Sequence, residues 1–255
     1  MRVAVRAIVG PVLLLTACTA TPTTAADVTG RTPAMTGTKH ASAPIASYPR
    51  ATNATIAPAA YLGARGLSRF TWSQRRVTAA DLPHTWRRGC PVAPPALRAL
   101  TLRFYGFNGH SHIGVLVVAT TSVSDVVSAF RQLYAARFPI RRMIPVDAYG
   151  GSDDRSVAAD NTAGFNCRKA VTTGPASWSM HAYGLAIDVN PVENPYVEGR
   201  LVIPPAGVAF VNRARARPGM ALPRATLVAT FAQRGWKWGG TWSDPDYQHF
   251  STNGR

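Results

Sequence analysis

The sequence predicts an α+β domain, a small antiparallel sheet with flanking helices. Strand-like and helix-like stretches do not alternate regularly along the chain, which disfavours a parallel α/β arrangement. Alternating apolar residues from Leu100 to Phe104 and a β-branched run from Ile113 to Val118 bracket "NGHSH", the pattern of a hairpin. Directly after them, "SVSDVVSAFRQLYAARFP" sets Val126, Val127, Phe130, Leu133 and Tyr134 at helical spacing, with Ser124 as the expected N-cap and Pro139 past the end.

The elements are expected in the following order. Residues 1–17 carry Arg2 and Arg6, then an apolar run from Ala7 to Leu15 that is too short to span a bilayer, and so form an export signal. Its ending, Leu15-Thr16-Ala17-Cys18, resembles the lipobox of bacterial lipoproteins, which makes Cys18 a lipidation site; an ordinary secretory signal is the alternative. Residues 18–66 are dominated by Thr, Ala, Pro and Ser and lack the large apolar side chains that would offset ordering entropy, so they form a flexible tether. A coil of roughly 50 residues spans on the order of 40 Å, which keeps the domain of residues 67–255 near its membrane.

Order is expected to begin between Leu67 and Leu82. A shorter helix is expected over Ala225 to Arg234 with Gly235 as its stop, and "GWKWGGTWSDPDYQHFS" reads as loop and strand. With Cys18 set aside, Cys90 and Cys167 remain, an even pair suited to one disulfide in an exported protein; two buried thiols are the other reading.

Lys and Arg total 28 against 12 Asp and Glu, a net charge of +16 that is almost all arginine. Such a chain favours anionic surfaces, including lipid headgroups and acidic wall polymers. The arginines are scattered without an aromatic-basic motif, so nucleic acid is not an expected partner.

The stretch "SMHAYGLAID" concentrates the chemistry. "LAIDVN" has the character of a buried strand ended by Pro191, and Gly184 lets the backbone turn between His181 and that strand. A carboxylate flanked by Ile187 and Val189 is costly to bury without a cation or several hydrogen-bond donors. Hydrolytic zinc sites commonly combine three His and Asp/Glu ligands with a fourth position for water. Two ligands are available at His181 and Asp188, and "DPDYQHF" offers His249 as the third with Asp246 three residues before it as a base. His110 and His112 lie in the hairpin turn with no acid or cysteine partner nearby and are read as structural. Trp236, Trp238 and Trp242 are read as core and cleft wall.

The pattern Ser179-x-His181-x-x-Gly184-x-Ala186-x-Asp188, followed by Asp246-x-x-His249, resembles the zinc D-alanyl-D-alanine carboxypeptidase and dipeptidase family. "GWKWGGTW" with "DYQHF" is more closely similar to its L-alanyl-D-glutamate endopeptidase branch in phage endolysins. The resemblance implies the fold shared with the hedgehog signalling domain, one zinc ion as cofactor, and hydrolysis of peptidoglycan stem peptides by an exported monomer. It further implies His181, Asp188 and His249 as ligands, Asp246 as general base and an upstream arginine beside the oxyanion, best matched by Arg155. Ser179, Asp160 and Asn161 are placed along the substrate cleft. The chain departs from the family where many members have Glu-x-x-His-Trp, because it has Asp246 and then Phe250. Aspartate is one methylene shorter, so the base must sit closer to the water.

Overall fold

A computed structural model describes residues 69–170 and 176–254, all within one unit, Ile45–Arg255. The export segment, Cys18 and most of the tether lie outside the described residues. The first sheet is antiparallel in the order β1 (Trp72–Arg76), β2 (Leu97–Tyr105), β3 (Ser111–Ala119). The hairpin forms where the alternation placed it and is longer than the apolar core of the pattern, with Leu97 opposite Ala119 and Tyr105 opposite Ser111. His112 stands on β3 and its ring pairs with the Asn108 side chain at 3.0 Å, a structural role for the turn.

Helix α1 (Val123–Ala135) packs on this sheet through Val126, Val127, Phe130, Leu133 and Tyr134, all buried. Burying a side chain of Phe or Leu size contributes about 2 kcal/mol, so this one face anchors the layer. The expected N-cap is corrected: the helix starts one residue before Ser124, and the boundary residue Ser122 turns its hydroxyl to the Ala119 and Gly184 carbonyls. Those contacts tie the start of α1 to the turn that carries His181. Short helix α2 (Asp153–Ala158) is capped by the Ser152 hydroxyl, which accepts from the Arg155 amide.

The second sheet has the order β4 (Ala186–Asp188), β8 (His249–Ser251), β7 (Lys237–Trp238) and is also antiparallel. Helix α3 (Thr226–Ala232) packs against α1 and β7, and the Gly235 amide bonds the Ala232 carbonyl with φ of +78°, so the chain leaves the helix where glycine was expected to stop it. Ile187 and Phe250 face each other across β4 and β8 and point into the core, where Phe250 stacks on Phe231 at 4.5 Å. A third piece, the hairpin of β5 (Tyr196–Glu198) and β6 (Leu201–Ile203), sits beside the segment that carries Asp246.

Cys90 and Cys167 form a disulfide, which resolves the two readings in favour of the bridge. It closes the loop before β2 onto the segment 163–167. That segment is threaded between the two sheets: the Phe165 amide donates to the Val117 carbonyl at 2.7 Å, and Ala163 exchanges both backbone bonds with Asp188. The α+β class therefore holds, with helices flanking small antiparallel sheets.

Candidate metal centre

Strand register alone places two of the three candidate ligands. Asp188 and His249 are directly opposed on antiparallel β4 and β8, so their side chains leave the same face about 5 Å apart at Cβ. The period of two that sends Ile187 and Phe250 into the core sends their neighbours Asp188 and His249 to the other face. The third candidate comes from a single turn, Met180–Tyr183, capped by the Ser179 hydroxyl accepting from the His181 amide at 3.3 Å and ended by Gly184 at φ +70°. Gly184 also lies against the Ala119 amide too closely for any side chain.

The three side chains converge. His181 Nε2 lies 3.2 Å from Asp188 Oδ2, His249 Nδ1 lies 3.1 Å from Asp188 Oδ1, and the two ring nitrogens are 3.2 Å apart. All three residues are buried, and their candidate donor atoms fall within 4.8 Å of one another. Zinc–nitrogen distances of about 2.0–2.1 Å in tetrahedral geometry separate neighbouring ligand atoms by roughly 3.3 Å, so the donor set fits such an ion with little movement. The His181 Nδ1–H donates to the Gly164 carbonyl at 2.7 Å, which directs the lone pair of a neutral ring's Nε2 at the cluster. Gly164 is required for this: a Cβ there would fall inside 3.0 Å of the Val117 carbonyl oxygen.

Burial alone would raise the Asp188 carboxyl, yet His181 and then His249 hold it well below the usual carboxylate range. It is therefore an ionised candidate ligand in a buried site. Asp246 behaves in the opposite sense. Burial and the negative charge of Asp188 push it up to about 6, and its Oδ1 is sealed from solvent without a hydrogen-bond partner. Its backbone is fixed by the Gly239 carbonyl, which accepts from the Asp246 amide at 3.1 Å, and by the His249 amide, which donates to the Asp246 carbonyl at 3.2 Å. The shorter acid thus stays beside the cluster because Asp246 to His249 is one closed backbone turn. Trp242 stands against the His249 ring at 5.3 Å between centroids, a wall of the site as its sequence setting suggested.

The remaining candidates are placed differently. Arg155 is exposed on α2 with its guanidinium against Gly150, and no contact ties it to the cluster. Ser179 is buried and works as the cap of the His181 turn. Asp160 and Asn161 spend their polar atoms inside the fold, contrary to a place on the cleft. Asp160 accepts from the Val192 amide and Arg141, while the Asn161 amide serves Ile144 and Ser156. The Val192 bond secures the segment that leaves β4. A second arginine, Arg168, lies two residues from Asn166, whose amide donates to the His181 carbonyl; it pairs with Asp153 at 3.0 Å.

Sequence reasoning did not find the frame behind β4. Asn190, at φ +48°, reaches the Pro139 and Gly219 carbonyls and accepts from the Arg141 amide, and Asn194 bonds Val189, Gly219, Arg213 and Ala221. Glu193 is buried against Arg141 at 3.3 Å and Asp160. The only signal in sequence was an unusual density of Asn and Glu in "VNPVEN" directly after an apolar strand.

A buried pair of imidazoles with one carboxylate, held on strand and turn with a second carboxyl alongside, is a donor set of the kind that could hold a metal ion in a small α+β domain. Residues 172–252, the segment that bears the candidate site, match the family model described as D-alanyl-D-alanine carboxypeptidase, the family that the two motifs resemble. No curated protein and no solved structure matches the chain.

Proposed function

We propose that the protein is a zinc-dependent peptidase that hydrolyses peptide bonds in peptidoglycan stem peptides, of the D-Ala-D-Ala carboxypeptidase or L-Ala-D-Glu endopeptidase type. The observation that carries the reading is the convergence of His181, Asp188 and His249 next to the Asp246 carboxyl, whose Oδ1 has no hydrogen-bond partner. The family match supports a peptidase at the coarser level. In this reading the domain has the hedgehog/D-Ala-D-Ala-peptidase arrangement and works as an exported, lipid-anchored monomer.

His181, Asp188 and His249 would hold the ion, which when bound supplies Lewis acidity toward a carbonyl oxygen and a water of lowered pKa. Asp246 would accept a proton from the attacking water at a carboxylate oxygen and hand it to the departing amine. The Gly164 carbonyl keeps the His181 ring in one tautomer throughout. An arginine offsets negative charge on the carbonyl oxygen; Arg155 is the assignment from the resemblance and would have to swing in from its exposed position. Trp242 and the β5–β6 hairpin exclude water from the flank of Asp246.

The test is mass spectrometry of fragments released from defined stem peptides, with and without chelator. Cleavage that chelation abolishes and zinc restores is expected. Stoichiometric zinc together with wall binding and no new amines would instead identify a non-catalytic wall-binding lipoprotein on the same fold.

A further inference from the structure

We propose that the face formed by β6 and the turn after it is a docking surface for an anionic lipid bilayer. The segment from Leu201 to Val211 is apolar yet solvent-facing: Leu201 is 50% and Val208 63% exposed, with Ile203 and Val211 exposed beside them. These residues belong to one structural piece, because the turn Pro205–Phe210 folds back from β6 and anchors through Gly207 against Pro195 and Val192. Single exposed aliphatics need no explanation, but four on one protruding segment mark an interaction site.

Charge identifies the occupant. Between Pro195 and Arg224 the chain carries four exposed arginines, Arg200, Arg215, Arg217 and Arg224, beside the inward-bonded Arg213, and a single acid, Glu198, which accepts from the Tyr196 hydroxyl. Arg200 immediately precedes Leu201, and the Arg217 guanidinium lies 3.6 Å over the Phe210 ring and donates to the Ala209 carbonyl, among the exposed apolar residues. Cations interleaved with exposed aliphatics match a negatively charged membrane interface, where headgroups take the charge and the acyl boundary takes the side chains. A water-soluble polyanion such as an acidic wall polymer would use the arginines and leave Leu201 and Val208 with no role. No helix among the described residues is long and apolar enough to cross a membrane, so contact through this face is interfacial.

The location has a consequence. Tyr196 on β5 bridges to Asp246, the Val197 amide donates to the Pro245 carbonyl, and the Tyr247 amide donates to the Pro195 carbonyl. The docked hairpin would therefore hold the candidate metal centre beside the lipid surface. The surface itself rests on exposure and charge, independently of the peptidase reading.

Hydrogen–deuterium exchange on the full chain tests this locally, whatever the N-terminus contributes to membrane binding. Amides across 200–211 should exchange at least fivefold more slowly with phosphatidylglycerol-containing vesicles than with pure phosphatidylcholine vesicles. Leu201→Ser with Val208→Ser should remove that protection, and Arg200→Gln with Arg217→Gln should weaken it about fivefold per arginine at low salt. Ile113→Ser, on the first sheet, should leave it intact. Unchanged thermal melting and far-ultraviolet circular dichroism in each variant show that the fold is preserved. Equal or absent protection with both vesicle types overturns the proposal. So does protection that survives loss of Leu201 and Val208 while following charge alone, which would indicate a soluble polyanion, and so does protection that follows protein concentration without vesicles, which would indicate self-association.

Discussion

Replacing Gly164 with alanine tests whether the close approach behind His181 sets the metal site. The added Cβ would meet the Val117 carbonyl oxygen inside 3.0 Å, and that oxygen belongs to the backbone of β3. No side-chain rotation can relieve the overlap, so the segment 163–167 must move away by roughly half an ångström or more. The bond from the Phe165 amide to the same carbonyl, 2.7 Å long, is then stretched or lost at a buried position. Overpacking costs about 1–3 kcal/mol and an unmade buried hydrogen bond about 1–3 more, so a loss of about 2–6 kcal/mol is expected. For a domain of this size that lowers Tm by roughly 5–20 °C. The Gly164 carbonyl moves with the segment, and the bond it accepts from His181 Nδ1 is compromised. Such outer partners are worth about 10–100-fold in metal affinity, and zinc competition against a chromophoric chelator reads that loss directly. Gly235→Ala is the control: its φ of +78° costs about 1–2 kcal/mol, but nothing lies within 4 Å of the added Cβ, so zinc affinity stays unchanged. A Gly164→Ala protein with native Tm and native zinc affinity would refute the reasoning.

Three further outcomes are expected. His181→Ala should lose zinc, as read by elemental analysis, whereas Asp246→Asn should bind zinc and lower turnover on stem peptides by about 10²–10⁴-fold; retained turnover would remove the base assignment. Cys90→Ser with Cys167→Ser opens a connection across 77 residues, for which the chain-entropy account gives about 4–5 kcal/mol, visible as a lower urea midpoint. Burial and the neighbouring Asp160 raise the Glu193 carboxyl to about 8, so the folded state keeps a proton there that the unfolded chain releases near 4.5. Its contribution is fully present below that lower value and declines as pH rises to about 8, by at most about 1.4 kcal/mol per pH unit; Glu193→Gln should flatten the slope in urea titrations from pH 5 to 8.

The hairpin, the apolar face of α1 and the stop at Gly235 were legible because each is written in local periodicity or a single backbone requirement. The candidate donor cluster could be picked out for a related reason: a charged residue inside "LAIDVN" conflicts with its surroundings, and the conflict itself marks the position. Ser124 misled because a hydroxyl near a helix start is a cap only if its backbone lies outside the helix, and tertiary contacts of Ser122 moved the boundary. Asp160 and Asn161 misled because nearness in sequence to the first ligand motif says nothing about which way a side chain faces; theirs turn inward to bond Val192 and Ile144. The Gly164 carbonyl left no local pattern because it is a backbone acceptor, and the frame of Asn190, Glu193 and Asn194 left only the polar density of "VNPVEN", since its bonds run across dozens of residues.

Asp246 distinguishes a catalytic site from a retained fold through the sign of a stability change. In the metal-free protein its carboxylate is held next to Asp188 with one oxygen lacking a partner, and its rise to about 6 shows that ionisation there is unfavourable. The residue is partly exposed, which screens the effect, so Asp246→Asn should stabilise the metal-free protein by on the order of 1 kcal/mol at pH 7. A divalent cation held by His181, Asp188 and His249 reverses the local field, and the same substitution should then reduce the stabilisation that zinc confers. Thermal melts of both proteins with and without zinc give the four values needed. Stabilisation when metal-free and a smaller zinc-induced shift are expected, because a carboxylate poised for proton transfer is kept at the expense of the empty fold. A variant that is less stable without zinc would show instead that Asp246 serves the fold, and the catalytic assignment would lose its physical basis.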